Sequence, residues 1–230
     1  MQNVIELSDL KFGWPGEGTP VVDIDELTLA QSEKLFVSGA SGSGKTTLLS
    51  LVAGIHPASS GRARVLNVDL GTFSNAQRDQ FRADHIGFVF QQFNLIPYLS
   101  VRRNVLLPLR FSNHRKQRCG TPDRDAEELL KHLGLEGDIL DAKPTALSVG
   151  QQQRVAAARA LIGKPDIVIA DEPTSSLDTD NRGQFIELLM RECDDNGSAL
   201  LFVSHDTGLA QYFDRRVDMV DINRSLASAT

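Results

Sequence analysis

The chain of 230 residues is short of several things, and each shortage excludes a class of protein. It has two cysteines, Cys119 and Cys193, far apart and in no metal-like spacing. That argues against a disulfide framework and for a reducing compartment. No apolar run approaches the ~20 residues that cross a bilayer. The start, Met1 to Glu6, lacks a basic segment followed by an apolar stretch, so no signal peptide is expected. Positive charge is not in excess: the formal net charge is −6, which argues against broad binding to a phosphate backbone. Internal repeats and low-complexity segments are absent. What is present is an ordinary globular composition, 41% hydrophobic and 23% charged, enough for one large domain or two small ones with a core. A cytoplasmic protein is expected, and any work at a membrane requires another polypeptide to hold it there.

Short apolar runs recur at Leu35–Val37, Ile86–Phe90, Ile167–Ala170 and Leu200–Val203. Each is short and rich in β-branched or aromatic residues, as buried strands are. Helical stretches lie between them, at Thr46–Ile55, Arg124–Leu133, Gln151–Ile162 and Arg182–Arg191. The alternation predicts an α/β fold with a mostly parallel sheet. The beginning differs. Val4–Leu7 and Val21–Leu29 alternate loosely around the turn Trp14–Gly18, which predicts a small N-terminal antiparallel β subdomain. The middle is mostly helical and reads as an inserted helical subdomain, 91–164, in a single domain of 1–230 whose α/β core is 1–90 and 165–230. Within it, His114–Arg118 reads as a basic, solvated connection broken by Gly120 and Pro122.

The run Gly39-Ala40-Ser41-Gly42-Ser43-Gly44-Lys45-Thr46 fits G-x-x-x-x-G-K-[ST], after a strand and at the start of a helix. Glycines let successive amides turn inward toward phosphate oxygens, and the helix N-terminus adds partial positive charge. Lys45 is the group for the β- and γ-phosphates, and Thr46, with Thr47 beside it, the hydroxyl for Mg²⁺. The fold expected is therefore a P-loop NTPase core that takes ATP and Mg²⁺. The apolar run Ile167–Ala170 ends in Asp171 and Glu172. Asp171 suits Mg²⁺ held through water, because that ion keeps much of its hydration shell. Glu172 is then the candidate general base for the attacking water.

At Leu147-Ser148-Val149-Gly150-Gln151-Gln152-Gln153-Arg154 the sequence resembles the signature of the ABC ATPases. The resemblance covers nearly the whole chain. It implies that Ser148, Gly150 and Gln151 face the γ-phosphate of ATP on a second subunit, through a helix N-terminus that attracts anions. It further implies that Gln91 touches Mg²⁺, that Asp178 in Ser176-Leu177-Asp178 lies at the dimer interface, and that His205 contacts the γ-phosphate. Trp14 resembles the aromatic that stacks on adenine, with Phe12 the competing residue. The usual signature has glycine where Val149 stands. Either the backbone there is ordinary, or this half-site meets phosphate less well. Asn67 stands where a turn glycine is common, a change Asn tolerates.

The segments Gly87–Pro97 and Asn104–Leu109 resemble the lipoprotein-release, macrolide-export and cell-division branch. That resemblance implies a head-to-tail homodimer with ATP at its interface, working with a separate transmembrane permease at the inner face of the cell membrane, in export or mechanotransmission. Nucleic acid is not an expected partner. The alternative is a non-transporter ABC ATPase acting on nucleic acid or ribosomes.

Overall fold

The computed structural model describes residues 2–16, 19–135, 139–177 and 179–227. In chain order its elements are β1 (Asn3–Phe12), β2 (Val22–Ala30), β3 (Lys34–Ser38), α1 (Lys45–Val52), β4 (Ser60–Val65), β5 (Val68–Asp69), α2 (Asn75–His85), β6 (Ile86–Val89), α3 (Val101–Val105), α4 (Asn113–Arg118), α5 (Pro122–His132), α6 (Val149–Leu161), β7 (Ile167–Asp171), α7 (Thr179–Asn196), β8 (Ala199–Ser204), β9 (Arg215–Asp218), α8 (Met219–Ile222) and α9 (Arg224–Ala227). They gather into two compact units, Met1–Arg82 with Ala199–Thr230, and Ala83–Ser198. The architecture is mixed α/β, with parallel strands and a small antiparallel sheet, as the sequence predicts.

The first unit holds the antiparallel sheet, in the order β2-β1-β4-β5. Its register sets Leu7 opposite Leu27 on one side and Ala63 on the other, so the apolar positions of three strands share one buried face. Leu66 and Asn67 join β4 to β5 between the paired Val65 and Val68, both at positive φ (48° and 65°). Two such residues make the hairpin turn whose twist matches the strands, and Asn is one of the few side chains that enter it at low cost. The parallel strands β8, β3 and β9 lie side by side in the same unit. β3 and β8 are buried along their whole length, which explains the apolar runs Leu35–Val37 and Ala199–Val203 within them. Phe36, Phe202 and Phe213 fill one side, with ring centroids 5.0–6.0 Å apart. Glu33 closes the turn before β3: its carboxylate accepts from Arg215 Nε at 2.6 Å and from the Ala30 amide at 2.7 Å. Burial alone would raise this carboxyl, but those bonds outweigh it and hold it below the usual range.

The second unit carries the parallel pair β6 and β7, in register from Ile86↔Ile167 to Val89↔Ala170. No strand other than these two occurs in it among the described residues, and helices make up most of the rest. α6 is its most enclosed helix, buried from Val155 through Leu161. Four alanines in that stretch let neighbouring backbones come close.

The basic stretch His114–Arg118 is not a solvated connection. It forms most of α4, capped by Ser112, whose hydroxyl accepts from the Arg115 amide at 2.9 Å. Arg115 is 2% exposed and donates to the carbonyls of Ala160, in the last turn of α6, and Ile162, its C-cap. Burial pulls its guanidinium down to about 10, so it remains charged at neutral pH. The charge is tolerated because carbonyl oxygens replace its water.

Candidate nucleotide-binding site

The loop between β3 and α1 belongs to the first unit. Gly42 and Gly44 stand at φ 80° and 93°, a region that only glycine enters freely, and Gly44 opens α1 as its N-cap. Lys45 is buried, and its ammonium donates to the carbonyls of Gly39 at 2.7 Å and Ala40 at 2.9 Å. These bonds hold the charge over the loop. Ser43 Oγ is buried and has no hydrogen-bond partner among the described residues. A buried hydroxyl without a partner costs about 1–3 kcal/mol unless a ligand or water supplies one. A fixed ammonium, an orphaned hydroxyl and a helix N-terminus fit a polyphosphate. Thr46 is exposed at the first turn of α1, and Thr47 is half-buried beside it.

The loop is braced by residues that the sequence did not single out. Ser38, at the end of β3, donates from its hydroxyl to Asp218 at 2.6 Å. That bond, with the Val220 amide, holds the Asp218 carboxyl below its usual range. Asn223 is fully buried and uses its whole carboxamide: Nδ2 donates to the carbonyls of Val21 (2.9 Å) and Ser43 (3.1 Å), and Oδ1 accepts from the amide of Asp23 (2.8 Å). The P-loop is thus tied to β2 through one side chain near the end of the chain. His205 also lies in this unit, exposed directly after β8. Trp14 is 39% exposed while Phe12 is 7% exposed, and the indole meets Phe12 and His56 edge-on at 5.0 Å each. Of the two aromatic candidates, only Trp14 has substantial exposed surface.

The second unit carries the acidic pair. β7 delivers Asp171 at its end, half-buried, and Glu172 follows at φ 45°. A glutamate in the left-handed region costs on the order of 1–2 kcal/mol, and such strain gathers at functional sites. Pro173 and Thr174 behind it are buried, and the Ser175 amide donates back to the Glu172 carbonyl at 3.2 Å.

Ser148 N-caps α6 and forms a reciprocal capping box with Gln151: the Gln151 amide donates to Ser148 Oγ at 3.3 Å, and the Ser148 amide donates to Gln151 Oε1 at 3.0 Å. Both side chains thereby help to start the helix with their acceptor oxygens. Val149 is its first residue, with no positive φ and its side chain 47% exposed. The backbone at 149 is therefore ordinary helix, the first of the two alternatives the sequence left open. Further along α6, Gln153 donates to the Pro173 carbonyl at 2.7 Å, and Arg159 donates to the carbonyls of Phe93 and Asn94, at 2.6 Å for Asn94. Phe93 and Asn94 follow the exposed Gln91 and are themselves at positive φ, 57° and 50°. One helix thus fastens the loop after β6 and the loop after β7. The signature segment includes Gln153 without giving it a role, and no sequence pattern marked Arg159 or Asn223, because the partners of all three are carbonyls and amides, which every residue carries. Asp178 lies outside the described residues.

Away from these loops, His85, His114 and Asp166 place ligand atoms within 4.8 Å of one another. Arg118 already serves this cluster as its cation, 3.0 Å from Asp166 and 3.4 Å from His114 Nε2. It is an ion-pair cluster at the starts of β6 and β7, opposite the strand ends that lead to Gln91 and Asp171.

A glycine loop between a buried parallel strand and a helix, with a second parallel strand ending in Asp-Glu, defines a P-loop nucleotide-binding protein. The ABC transporter family model matches residues 22–175, and the chain belongs to that family. It is 40% identical over 225 residues to the uncharacterized ABC transporter ATP-binding protein YbbA of Escherichia coli K12, covering 96% of each. It is 38% identical to the lipoprotein-releasing system ATP-binding protein LolD of Hydrogenovibrio crunogenus, covering 92% of this chain and 90% of that one. It is 36% identical to the macrolide export ATP-binding/permease protein MacB of Shigella flexneri, covering 96% of this chain but 34% of MacB. Among solved structures, a dimeric post-hydrolysis state of the ATP-binding cassette MJ0796 with ADP and Pi aligns at a TM-score of 0.84 and 32% identity, over 96% of this chain and 95% of that one. LolD and MacB represent two of the three kinds of system that the sequence resembles. None of the relatives named above is described as acting on nucleic acid or ribosomes.

Proposed function

We propose that this chain hydrolyses ATP with Mg²⁺ as the nucleotide-binding subunit of an ABC transporter whose membrane-crossing permease is a separate polypeptide. The observation that carries the reading is the loop Gly39–Thr46, with its held ammonium and its buried, unpartnered Ser43 hydroxyl. Lys45 neutralises phosphate charge, the loop amides bind phosphate oxygens, and Trp14 stacks on the base. Thr46, Gln91 and Asp171 are the residues that would hold Mg²⁺. That ion, when bound, neutralises charge on the phosphates. Glu172 takes a proton from the attacking water, and His205 steadies the γ-phosphate end.

A head-to-tail homodimer belongs to the same reading. Gly150 supports it. Its backbone is not left-handed, and an added Cβ would meet nothing closer than Leu177 Cδ2 at 3.8 Å. The subunit's own fold does not require glycine there, and the absence of a side chain leaves room for a partner's nucleotide to approach the start of α6. No helix among the described residues is long and apolar enough to cross a membrane, consistent with a peripheral subunit. The resemblance of Gly87–Pro97 and Asn104–Leu109 favours export or mechanotransmission.

The test is a pair of variants. Glu172→Gln keeps the shape but removes the proton acceptor. Turnover should fall by about 10²–10⁴-fold while ATP still binds. Lys45→Ala should instead weaken binding itself. In the Glu172→Gln protein, ATP should double the mass seen by light scattering. Undiminished hydrolysis by Glu172→Gln would remove Glu172 from this role, and a monomer at saturating ATP and Mg²⁺ would remove the dimer.

A further inference from the structure

The left-handed backbone at Glu172 needs something to hold it. A residue strained in this way relaxes unless its surroundings fix it. The hydrogen bond within the turn, Ser175 amide to Glu172 carbonyl at 3.2 Å, is long and closes only a few residues. The stronger tether comes from α6. Gln153 is completely buried, and its Nε2 donates to the carbonyl of Pro173, the residue directly after Glu172, at 2.7 Å. Its other atom, Oε1, is buried with no partner among the described residues. A buried amide that satisfies only one end is costly, because the orphaned acceptor has lost its water without gaining a partner. A leucine or methionine of similar size would fill the volume without that cost. The donor end is therefore what the position needs.

We propose that Gln153 is a positioning residue: it fixes the Pro173 carbonyl and so holds Glu172 in the left-handed conformation in which its carboxylate meets the attacking water. The proposal rests on the reading of Glu172 as the general base. It also gives α6 a second task. Gln153 sits one turn beyond the capping box of Ser148 and Gln151, so a displacement at the start of the helix is carried through Gln153 into the loop that holds the base. The link is short and rigid: a capped helical turn, one side chain, one carbonyl.

The experiment compares Gln153→Met, which keeps length and loses the donor, with Gln153→Glu, which donates only when protonated. Both are made in the full chain and assayed with ATP and Mg²⁺. For Gln153→Met, kcat should fall about tenfold with KM for ATP changed less than about twofold, because misplacing a base affects the chemical step and not ground-state binding. For Gln153→Glu, activity should fall as pH rises, as the buried acid ionises and repels the Pro173 carbonyl, a limb that the wild type lacks. Amide hydrogen exchange gives a readout independent of turnover. In both variants the amides of Ser175 and Leu177 should exchange about tenfold faster while those of β7 stay protected. Wild-type kcat in Gln153→Met, or unchanged exchange at Ser175 and Leu177, would overturn the proposal. Glu172→Gln is run in parallel. If it hydrolyses normally, the base assignment falls, and the exchange data still decide whether Gln153 holds this loop.

Discussion

Of the turns that enter the left-handed region, two at the candidate site do so with opposite residues. The P-loop uses glycine, at Gly42 and Gly44. The turn after β7 uses glutamate. In the proposed function the P-loop would bind phosphate through main-chain amides, so the side chain is dispensable and the conformation costs little. After β7 the proposed role belongs to the Glu172 side chain, which glycine could not supply, and the strain is accepted. Each turn is held by one buried carboxamide from elsewhere in its own unit, Asn223 for the first and Gln153 for the second. The difference lies in which part of the residue the proposed function uses.

The comparison breaks most sharply at Glu172→Gly. That change relieves the backbone and deletes the carboxylate. Turnover should fall by about 10²–10⁴-fold, while the thermal midpoint stays level or rises, since the strain released is about 1 kcal/mol or more. A lowered midpoint in a calorimetric scan would show that the turn is not strained. The reverse change in the P-loop is Gly44→Ala. The new Cβ would sit 3.1 Å from the Val21 carbonyl at φ 93°, and ATP affinity by titration should drop more than about tenfold as the loop shifts. An affinity within twofold would mean that the loop adapts freely.

Asn223→Ala tests whether the first turn is braced from outside. It strands the carbonyls of Val21 and Ser43 and the amide of Asp23, and should cost about 2–3 kcal/mol in denaturant unfolding. Asp166 gives a smaller, pH-dependent effect. Burial would raise its carboxyl, but hydrogen bonds from His85 and Arg118 outweigh this and hold it below the ordinary 3.8. A depressed folded-state value contributes stability above the unfolded value, and that contribution is lost as pH falls through the folded one. Asp166→Asn should therefore flatten acid unfolding below about pH 4. The smallest effect belongs to Val149→Gly. With Val149 already in helical backbone, ATPase activity should change less than about threefold, and a tenfold gain would reveal strain that the helix conceals.

The parallel strands and the P-loop were legible in the sequence because their signals are local: a run of apolar residues, a glycine pattern at a helix start. Other elements were not. β4 reads Ser-Gly-Arg-Ala-Arg-Val, mostly exposed, and carries too few apolar side chains to declare itself. α4 was misread because basic residues imply solvent, whereas the charge on Arg115 is solvated by carbonyls supplied some 45 residues later. The turn chemistry at Asn67 was readable, since Asn has a physical reason to be there. The strain at Glu172 was not, since nothing in the composition of Asp-Glu-Pro indicates a left-handed backbone.

The capping box at the start of α6 has a consequence for how this surface can change over time. Ser148 and Gln151 are occupied with each other, and the first amides of a helix have no acceptor within it. A ligand that docked there, as in the proposed dimer, would meet main-chain amides, which substitution does not remove. The exposed position between cap and glycine is then free to drift in identity, provided that the helix still begins at the same residue. Val149 meets that condition: α6 begins at it, in helical backbone, with its side chain turned to solvent.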